Sequence, residues 1–373
     1  MRADGELTEG QRQWRQVRAY LGEHRYALAV AAARDYPDRM TVEGTPLLAA
    51  DRWLPAAPVP LGSVELRYLP DARPPGVTGT EPAAAGLLPA RLDGRRYRRY
   101  SDAVADLARP GLFSDRPTYR LVDADLAGAP PRLGFGAGSY FGGVDVGEAC
   151  AHEYAAAALG GPAAQLRSAV GDPCDPARRP VTVAISTLTL RYDRAGNAAT
   201  FALHRRDAAA VGHAGGLYQV LPVGIFQPAG TGPGDVSADF SLWRCMIREF
   251  AEELLGEPEV RPVGGAPIDY AAWPLAAQLT DALHSGQIRA YCLGLGVDPL
   301  TFATDLLTAV VIDAPRYDQL FGRLVRANVE GAVLPDLPFD RPTIDRYARH
   351  EPTQAAGAAV LALAWRHRRA LLG

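Results

Sequence analysis

Three glutamates and an arginine stand close together in the stretch REFAEELLG, residues 248–256. On a helix, which turns about 100° per residue, Glu249, Glu252 and Glu253 fall on one arc with Arg248 beside them. Clustered carboxylate oxygens are the ligands that magnesium prefers. Glu249 and Glu253, four residues apart, also repel each other by a few tenths of a kcal/mol. The spacing leaves two interpretations open: a magnesium site, or the solvated acidic face of an ordinary surface helix.

Apolar residues in the same segment predict the helix that would position these charges. They recur at helical spacing between Phe240 and Leu255 and occupy an arc of their own. This arc consists of Leu242, Trp243, Met246, Ile247, Phe250 and Leu254. Gly256 and Pro258 are typical of the end of a helix. We expect the apolar arc to pack against a sheet and the carboxylates to lie on another side of the helix.

The residues before this helix predict strands. Residues 181–193 (VTVAISTLTLRYD) and 201–207 (FALHRRD) are separated by a turn sequence, RAGNAAT, so they predict a hairpin. Residues 217–228 (LYQVLPVGIFQP) predict a further strand and a turn, and a loop follows.

This order of elements resembles the Nudix superfamily. In that family a hairpin with a basic R-R end precedes a W-x-x-P-G-G strand and turn. A helix reading R-E-U-x-E-E follows, in which U is aliphatic or aromatic, and residues 248–253 match it at all six positions. The opening glycine of the family motif is matched by Gly234, or by Gly224 if the loop is an insertion. The resemblance covers about residues 180–312, a third of the chain.

The chain departs from the family pattern at three points. LPVG replaces the usual LPGG, and Leu255 is an extra residue before Gly256. With Gly234 as the anchor, the first helix glutamate of the family falls on Phe240, and Asp239 could replace it only if the helix start shifts. That glutamate orients the arginine in the family, so the departure predicts weaker support for Arg248.

The resemblance implies a site and a chemistry. Glu249, Glu252 and Glu253 would hold magnesium, or manganese in its place. Glu249, Glu253 and Arg248 would be the catalytic residues, with Glu249 as a ligand or a general base and Arg248 steering a carboxylate. The substrate would be a nucleotide-like small molecule with a diphosphate linkage.

Four residues outside the helix are candidates for substrate binding. Arg205 and Arg206 end the second hairpin strand, where their planar donor groups could bind phosphate or simply lie on the surface. Tyr218 and Phe226 could stack on a base, although filling the core is the commoner use of such aromatic residues.

The first 170 residues have no counterpart in the minimal Nudix fold. They predict a helix at 11–35, strands near 64–68 and 118–126, and a helix within 95–110. The glycine-rich residues 133–143 predict a flexible loop before a helix from about Asp145. That helix carries EACAHEY (148–154), half of a zinc-binding pattern but more typical of packing or hydrogen bonding.

A segment rich in proline and charge, residues 171–180, predicts the boundary between two domains. Residues 1–170 would form an N-terminal α+β extension of unknown role. Residues 171–373 would form a Nudix-like domain with a C-terminal amphipathic helix. The predicted fold class is therefore α+β, with a mixed sheet sandwiched by helices and an N-terminal extension domain.

Composition narrows the functional classes. The 373 residues carry a net charge of −3 and their basic residues include no lysine. A Schiff-base or Walker-type lysine is therefore excluded, and a nucleic-acid partner is not expected. No apolar run is long enough to span a membrane, the N-terminus is polar, and the four cysteines form no CxxC pair. We expect a cytoplasmic protein, and a homodimer is left open.

Two hypotheses follow for the function. The first is a magnesium-dependent hydrolase of a nucleoside-diphosphate-linked molecule, in which the N-terminal extension shapes the site. The second is a catalytically inactive protein of the same fold that binds a nucleotide-like ligand as a sensor or regulatory partner. The three retained glutamates favour the enzyme, whereas Phe240 and the enlarged loop favour the binding protein.

Overall fold

The computed structural model describes residues 7–206, 216–262, 264–322, 327–328 and 331–373. Helix accounts for 39% and strand for 24%, with a mixed sheet flanked by helices, which confirms the predicted α+β class. Within these residues no helix is both long and apolar enough to cross a bilayer.

The described strands form two sheets. The larger sheet has the strand order β1-β9-β10-β5-β6-β12-β11, with β7 paired to β6 and β8 paired to β5. The smaller sheet has the order β2-β4-β3. In chain order the strands are β1 (Val59–Pro60), β2 (Glu65–Tyr68), β3 (Pro117–Asp125), β4 (Arg132–Ser139), β5 (Val183–Asp193), β6 (Ala198–Arg206), β7 (Tyr218–Val220), β8 (Val223–Ile225), β9 (Ile288–Val297), β10 (Thr304–Asp313), β11 (Ala327–Asn328) and β12 (Gly331–Pro338).

Helices flank the mixed sheet, and two single π-helical turns, at 250–254 and 346–350, extend helices α8 and α11. In chain order the helices are α1 (Glu9–Glu23), α2 (Arg25–Ala33), α3 (Pro82–Gly86), α4 (Tyr100–Leu107), α5 (Tyr140–Ala158), α6 (Gln165–Val170), α7 (Pro233–Ala238), α8 (Leu242–Glu249), α9 (Pro274–His284), α10 (Ala314–Phe321), α11 (Arg341–Asp345), α12 (Ala355–Arg366) and α13 (Arg368–Leu372). The predicted helix at 11–35 is thus two helices, α1 and α2, which meet at His24.

The centre of the large sheet is a parallel pair. Strands β5 and β10 lie side by side in register from Val183 opposite Thr304 to Tyr192 opposite Asp313. Both are almost continuous runs of apolar and β-branched residues, the pattern of strands covered on both faces. The predicted hairpin of β5 and β6 is confirmed, and its turn contains Asn197 at a positive φ of 47°.

The large sheet forks where β5 and β6 separate. They pair only from Leu190 opposite Phe201 to Asp193 opposite Ala198. Beyond that point β5 pairs with β8 instead, and β6 pairs with β7. The LPVG segment joins β7 to β8, so its last two residues are held at the fork of the sheet.

The glycine-rich segment predicted as a loop is strand β4, so that prediction is wrong. Its glycines allow neighbouring chain segments to approach closely. A Cβ atom on Gly136 would lie 2.8 Å from the Cβ of Ala72, and one on Gly138 would lie 2.8 Å from the Cβ of Arg120. The glycines here permit close packing of a strand, which the sequence alone does not distinguish from loop flexibility.

The C-terminal helix also differs from its prediction. Helix α12 is buried at every position from Ala355 to Ala364, so it is not amphipathic. Its small residues let it approach the sheet closely: a Cβ on Gly357 would lie 3.4 Å from the backbone nitrogen of Val220. The prediction of an amphipathic helix rested on the charged residues after Trp365. These residues belong to the end of α12 and to α13, not to the buried part of α12.

Contacts join the segments on the two sides of the predicted domain boundary. Strand β1 adds to the edge of the large sheet, with Val59 opposite Cys292. Arg167 donates hydrogen bonds of 2.9 and 2.7 Å to the carbonyls of Leu300 and Pro299. The division at residue 171 stays a prediction.

Candidate active site

The REFAEE stretch spans the junction between α8 and a π-helical turn. Ser241 caps α8 by accepting a hydrogen bond from the N–H of Arg244, and the predicted apolar arc is largely buried. At Phe250 the helix widens into the π turn, so the 100° rotation per residue no longer holds. Glu253 is consequently only 9% exposed, although the helical wheel places it on an outer acidic face.

Arg248 is the centre of a buried cluster that we call the arginine clamp: Arg248, Asp239, Tyr270 and the carbonyl of Gln227. The guanidinium donates to Asp239 Oδ1 at 3.1 Å, to the Tyr270 hydroxyl at 2.5 Å and to the Gln227 carbonyl at 2.6 Å. Tyr270 in turn donates to Asp239 Oδ1 at 2.6 Å. The clamp fixes the loop before α8 to the end of the helix.

The electrostatics of the clamp follow from its burial. Burial alone would lower the pKa of Arg248, but the neighbouring Cys245, Tyr270 and Asp239 outweigh it and raise that pKa above its usual value. Burial also raises the pKa of Tyr270. Arg248 therefore stays charged, and its charge is balanced by Asp239 inside the protein.

The clamp overturns one expectation from the sequence. The substitution of Phe240 for the first family glutamate predicted weaker support for Arg248. In the structure α8 begins at Leu242, two residues later than predicted, and Asp239 supplies the carboxylate instead. The second Asp239 oxygen accepts the Ala229 N–H at 2.8 Å, so the loop and the arginine are tied to one side chain.

Two glutamates of the stretch reach the same short strand. Glu253 Oε2 accepts a hydrogen bond of 3.0 Å from the Val223 N–H. Glu249 lies against the next residue, because a Cβ atom on Gly224 would be 1.9 Å from Glu249 Cδ. Only glycine fits at that position without displacing the carboxylate. The fork of the sheet thus brings two carboxylates to adjacent residues of β8, while Glu252 is half-buried beside them.

The carboxylates near β8 do not form a complete protein cage for magnesium. Within the described residues no group of three or more His, Cys, Asp or Glu side chains is arranged to hold a metal ion. Magnesium, however, is usually held by one or two carboxylates together with substrate phosphates and water. Glu249 and Glu253 supply such a pair of oxygen donors, with Glu252 next to them in the chain.

Arg205 and Tyr218 lie together at one end of the forked sheet. They are opposite each other in the β6–β7 pair, and the Arg205 guanidinium lies 5.9 Å from the centre of the Tyr218 ring. Tyr218 also packs edge-on against Tyr347 at 5.2 Å, and Arg346 lies 5.1 Å from the Tyr347 ring. The result is an array of two tyrosines flanked by two exposed arginines. No pattern in the sequence points to Tyr347 or Arg346 as members of this array.

The other two predicted substrate residues have different outcomes. Phe226 is fully buried and packs against Tyr119, Phe135 and Phe240 with ring centres 4.6, 5.1 and 5.8 Å away. Phe226 is therefore a core residue, which is the second of the two uses that the sequence left open for it. Arg206 ends β6, and its side chain lies outside the described part of the structure.

The EACAHEY stretch on α5 is internal to the fold. Glu148 pairs with both Arg18 and Arg25, which attaches the first two helices to α5. Glu153 accepts hydrogen bonds from the backbone N–H groups at the start of α6, at 2.6 to 3.0 Å. His152 stacks on Trp14, and burial lowers the pKa of His152 to about 3. These contacts fit the packing interpretation rather than zinc binding.

Asp305 is a buried acid that the sequence analysis did not select. It lies in β10, where Ser186 donates a hydrogen bond of 2.8 Å to Oδ1. Burial raises the pKa of Asp305 to about 7, with a smaller contribution from Asp298. Because apolar residues surround it in the sequence, no spacing rule marks it, and the nearby small pocket is lined by Asp298 but not by Asp305.

Four contributors to the site were missed or left uncertain. Asp239 was considered only as a replacement for the first helix glutamate of the family motif. Gly224 was considered only as an alternative match for the opening glycine of that motif. Tyr270 and the Gln227 carbonyl were not considered at all, because they come from irregular segments whose folded positions no local pattern specifies. The sequence feature that points to Gly224 is LPVG, in which this glycine lies directly before a predicted turn.

Comparisons with known proteins do not identify the site. No protein-family model matches the chain, and no curated protein does so either.

Proposed function

We propose that the chain is a Nudix-type hydrolase that cleaves a diphosphate linkage in a nucleotide-like small molecule, with magnesium as its cofactor. The observation that carries this proposal is the pair of carboxylates on β8. Glu253 accepts the Val223 N–H, and Glu249 lies against Gly224, the next residue. Two acidic groups held against adjacent residues of one strand favour a site that receives a cation.

The cation also explains how an acidic site could bind an anionic substrate. A diphosphate carries concentrated negative charge, and Glu249, Glu252 and Glu253 would repel it. Magnesium, or manganese in its place, would supply the neutralising charge and the activation of water for attack at phosphorus when bound. Glu249 and Glu253 would hold the cation together with substrate phosphates and water.

The remaining residues would position these groups and the substrate. The arginine clamp makes Arg248 a positioning residue, since all its described partners are protein groups. The clamp holds the loop and helix so that Glu249 and Glu253 face β8. The exposed guanidinium of Arg205, beside the Tyr218 ring, would bind the anionic or aromatic part of the substrate.

The test is a metal-dependent screen on the full chain. Sugar and ribose conjugates of nucleoside diphosphates are incubated with the protein and magnesium, and phosphate-containing products are followed. We expect turnover that chelation removes and that Glu253→Gln lowers by at least a hundredfold. Glu257→Gln is the matched control, because Glu257 is exposed four residues further along and should leave the rate unchanged.

A second substitution separates substrate binding from chemistry. Arg205→Ala should raise KM with little change in kcat, since Arg205 would contact the substrate away from the reacting phosphorus. Failure of every conjugate to turn over in magnesium or manganese would refute the hydrolase proposal.

The alternative function is ligand binding without turnover. The engagement of Glu253 Oε2 by a backbone N–H favours it, because that oxygen has a protein partner where a cation would need a donor. A sensor of this kind would show saturable thermal stabilisation by a diphosphate conjugate with no product. If Glu253→Gln then left the stabilisation unchanged, the carboxylate pair would have no part in binding.

A further inference from the structure

A cluster of exposed arginines lies in residues 91–99, a segment that we call the basic turn. It contains five arginines and one acidic residue, Asp93, although the whole chain has a net charge of −3. The carboxylate of Asp93 is directed back onto the chain, where Oδ1 accepts the Arg95 N–H at 3.0 Å. The segment therefore carries a local excess of positive charge. All five arginines are exposed: Arg91, Arg95, Arg96, Arg98 and Arg99.

The first part of the basic turn is a four-residue β-turn that carries a leucine. The Gly94 N–H donates to the Arg91 carbonyl at 3.0 Å, and the Arg91 N–H donates to the Arg95 carbonyl at 2.7 Å. Leu92 occupies the second position of this turn and is 62% exposed. Residues 91–96 are all exposed, so the turn projects from the surface. An apolar side chain is thus presented among cations.

Tyr97 holds the basic turn on the rest of the protein. Its side chain is buried, with only 4% exposed. Its hydroxyl donates to Asp106 Oδ2 at 2.5 Å and accepts a hydrogen bond of 3.0 Å from Gln11. The Arg91 guanidinium lies over the Tyr97 ring, 4.3 Å from its centre. The turn is therefore fixed before any partner binds, which lowers the entropic cost of binding.

Most of the guanidinium groups in the basic turn are not neutralised by the protein. Across the described ranges of the chain, Arg99 is the one member of the five that forms an ion pair, with Asp145 at 3.4 Å. Arg96 donates to a backbone carbonyl, which is an uncharged partner. No side-chain hydrogen bond or ion pair joins Arg95 or Arg98 to another described residue. Their charges are available to an anionic partner.

We propose that the basic turn docks the protein on an anionic lipid membrane, with Leu92 inserted among the headgroups and the arginines beside lipid phosphates. Clustered basic residues are attracted to the negative surface potential of such a membrane. An apolar side chain that enters the headgroup region adds affinity by its burial. Arg95 and Arg98 supply the charge and Leu92 the apolar contact. The protein lies on the membrane in this arrangement and does not cross it.

The aromatic residues of the segment favour a membrane over a nucleic acid. Proteins that bind single-stranded nucleic acids use exposed aromatic rings on which bases stack. The two tyrosines of GRRYRRY, residues 94–100, are Tyr97 and Tyr100, and they are only 4% and 1% exposed. The exposed apolar residue is instead Leu92, whose aliphatic side chain cannot stack on a base but can enter a bilayer.

The experiment is sedimentation of the full chain with sucrose-loaded vesicles. Vesicles of equimolar phosphatidylglycerol and phosphatidylcholine should bind the protein at low ionic strength, and pure phosphatidylcholine vesicles should not. Added salt should release the protein, because it screens the attraction. Arg95→Gln and Arg98→Gln should each weaken binding about fivefold, the contribution of one basic residue at a charged membrane. Leu92→Ala should weaken binding about tenfold, because the inserted side chain loses most of its apolar atoms.

Two matched controls replace exposed residues outside the basic turn. Arg34→Gln removes the same charge and Leu159→Ala the same apolar atoms, and both should leave binding unchanged. Equal binding to neutral vesicles, or no sedimentation with anionic ones, would refute the proposal. Binding that neither arginine variant weakens would place the contact elsewhere on the protein. Full binding by Leu92→Ala would show that nothing is inserted and would overturn the docking arrangement.

A second arm distinguishes the membrane from other polyanions. Binding of fluorescein-labelled oligothymidylate and polyglutamate is measured by anisotropy at the same ionic strength. Tighter binding to either polymer than to the vesicles, weakened by Arg95→Gln but not by Leu92→Ala, would replace the membrane by a nucleic acid or an acidic protein. None of these outcomes depends on diphosphate hydrolysis.

Discussion

Two helices of this protein carry similar charged sequences and use them differently. EACAHEY on α5 and REFAEE on α8 both place glutamates on helices that pack against other elements. On α5, Glu148 is matched by the buried Arg25 and the partly buried Arg18, and Glu153 by three backbone N–H groups. On α8, the groups of the arginine clamp surround Arg248. Glu249 and Glu253 instead lie against adjacent residues of strand β8.

The difference shows that the environment of a carboxylate decides its use. A glutamate that balances two cations stabilises the fold and has no capacity left for a ligand. For the pair of glutamates held against one strand, we propose a shared cation instead. Helical spacing alone does not distinguish these cases.

The largest expected effect is on the α5 side of this comparison. Glu148→Ala would leave the buried Arg25 and the partly buried Arg18 without their anionic partner. We expect a loss of about 3–5 kcal/mol in the free energy of unfolding, the usual cost of breaking a buried ion pair. Urea denaturation measures it. Glu9→Ala, which removes an exposed pair with Arg12, should change stability little. Similar losses for both variants would mean that Glu148 does not bind the helices together.

A smaller loss is expected for the arginine clamp. Asp239→Asn keeps the shape and one hydrogen bond to Arg248 but removes the balancing charge. We expect about 1.5–3 kcal/mol less stability, the range for a hydrogen bond to a charged group. The same variant should also lower magnesium-dependent turnover, since the clamp positions α8. Unchanged turnover in a destabilised variant would make the clamp purely structural.

These two helices also show what the sequence could predict. The order of strands, the hairpin and the helix ends near Gly256 follow from local patterns, and the α+β class is confirmed. The partners of Glu148 lie about 130 residues away in the chain, and Tyr270 belongs to an irregular segment. Such contacts depend on how the elements pack, so spacing did not reveal them. The strand β4 was missed because glycine permits both a loop and close packing.

The third prediction concerns pH on the α5 side. His152 is held neutral, because burial lowers its pKa to about 3, whereas the unfolded chain takes up a proton near pH 6.5. Above pH 6.5 both states are neutral and His152 has no effect. As the pH falls below 6.5, only the unfolded state is protonated, so stability falls. The loss should reach about 2 kcal/mol at pH 5.

His152→Phe isolates that contribution. The phenyl ring keeps the contact with Trp14 but cannot titrate. The difference in the free energy of unfolding between the variant and the wild type should therefore change in favour of the variant from pH 7 to pH 5. A difference that stays constant over this range would mean that His152 is protonated in the folded state.

The smallest expected change in stability tests the α8 side. A Cβ atom in Gly224→Ala would lie 1.9 Å from Glu249 Cδ, so the carboxylate must move. Glu249 is half-buried and its side chain is flexible, which limits the cost to about 1 kcal/mol, the low end for overpacking.

The expected consequence for function is larger, because the displaced carboxylate could no longer share a cation with Glu253. Thermal unfolding with magnesium and methylene diphosphonate measures this: the wild type should be stabilised and the variant should not. Gly111→Ala is the matched control, since a Cβ there meets nothing within 4 Å. A Gly224→Ala variant that kept the full stabilisation would show that the position of Glu249 on β8 is not what binds the cation, and the contrast between α8 and α5 would then be one of packing alone.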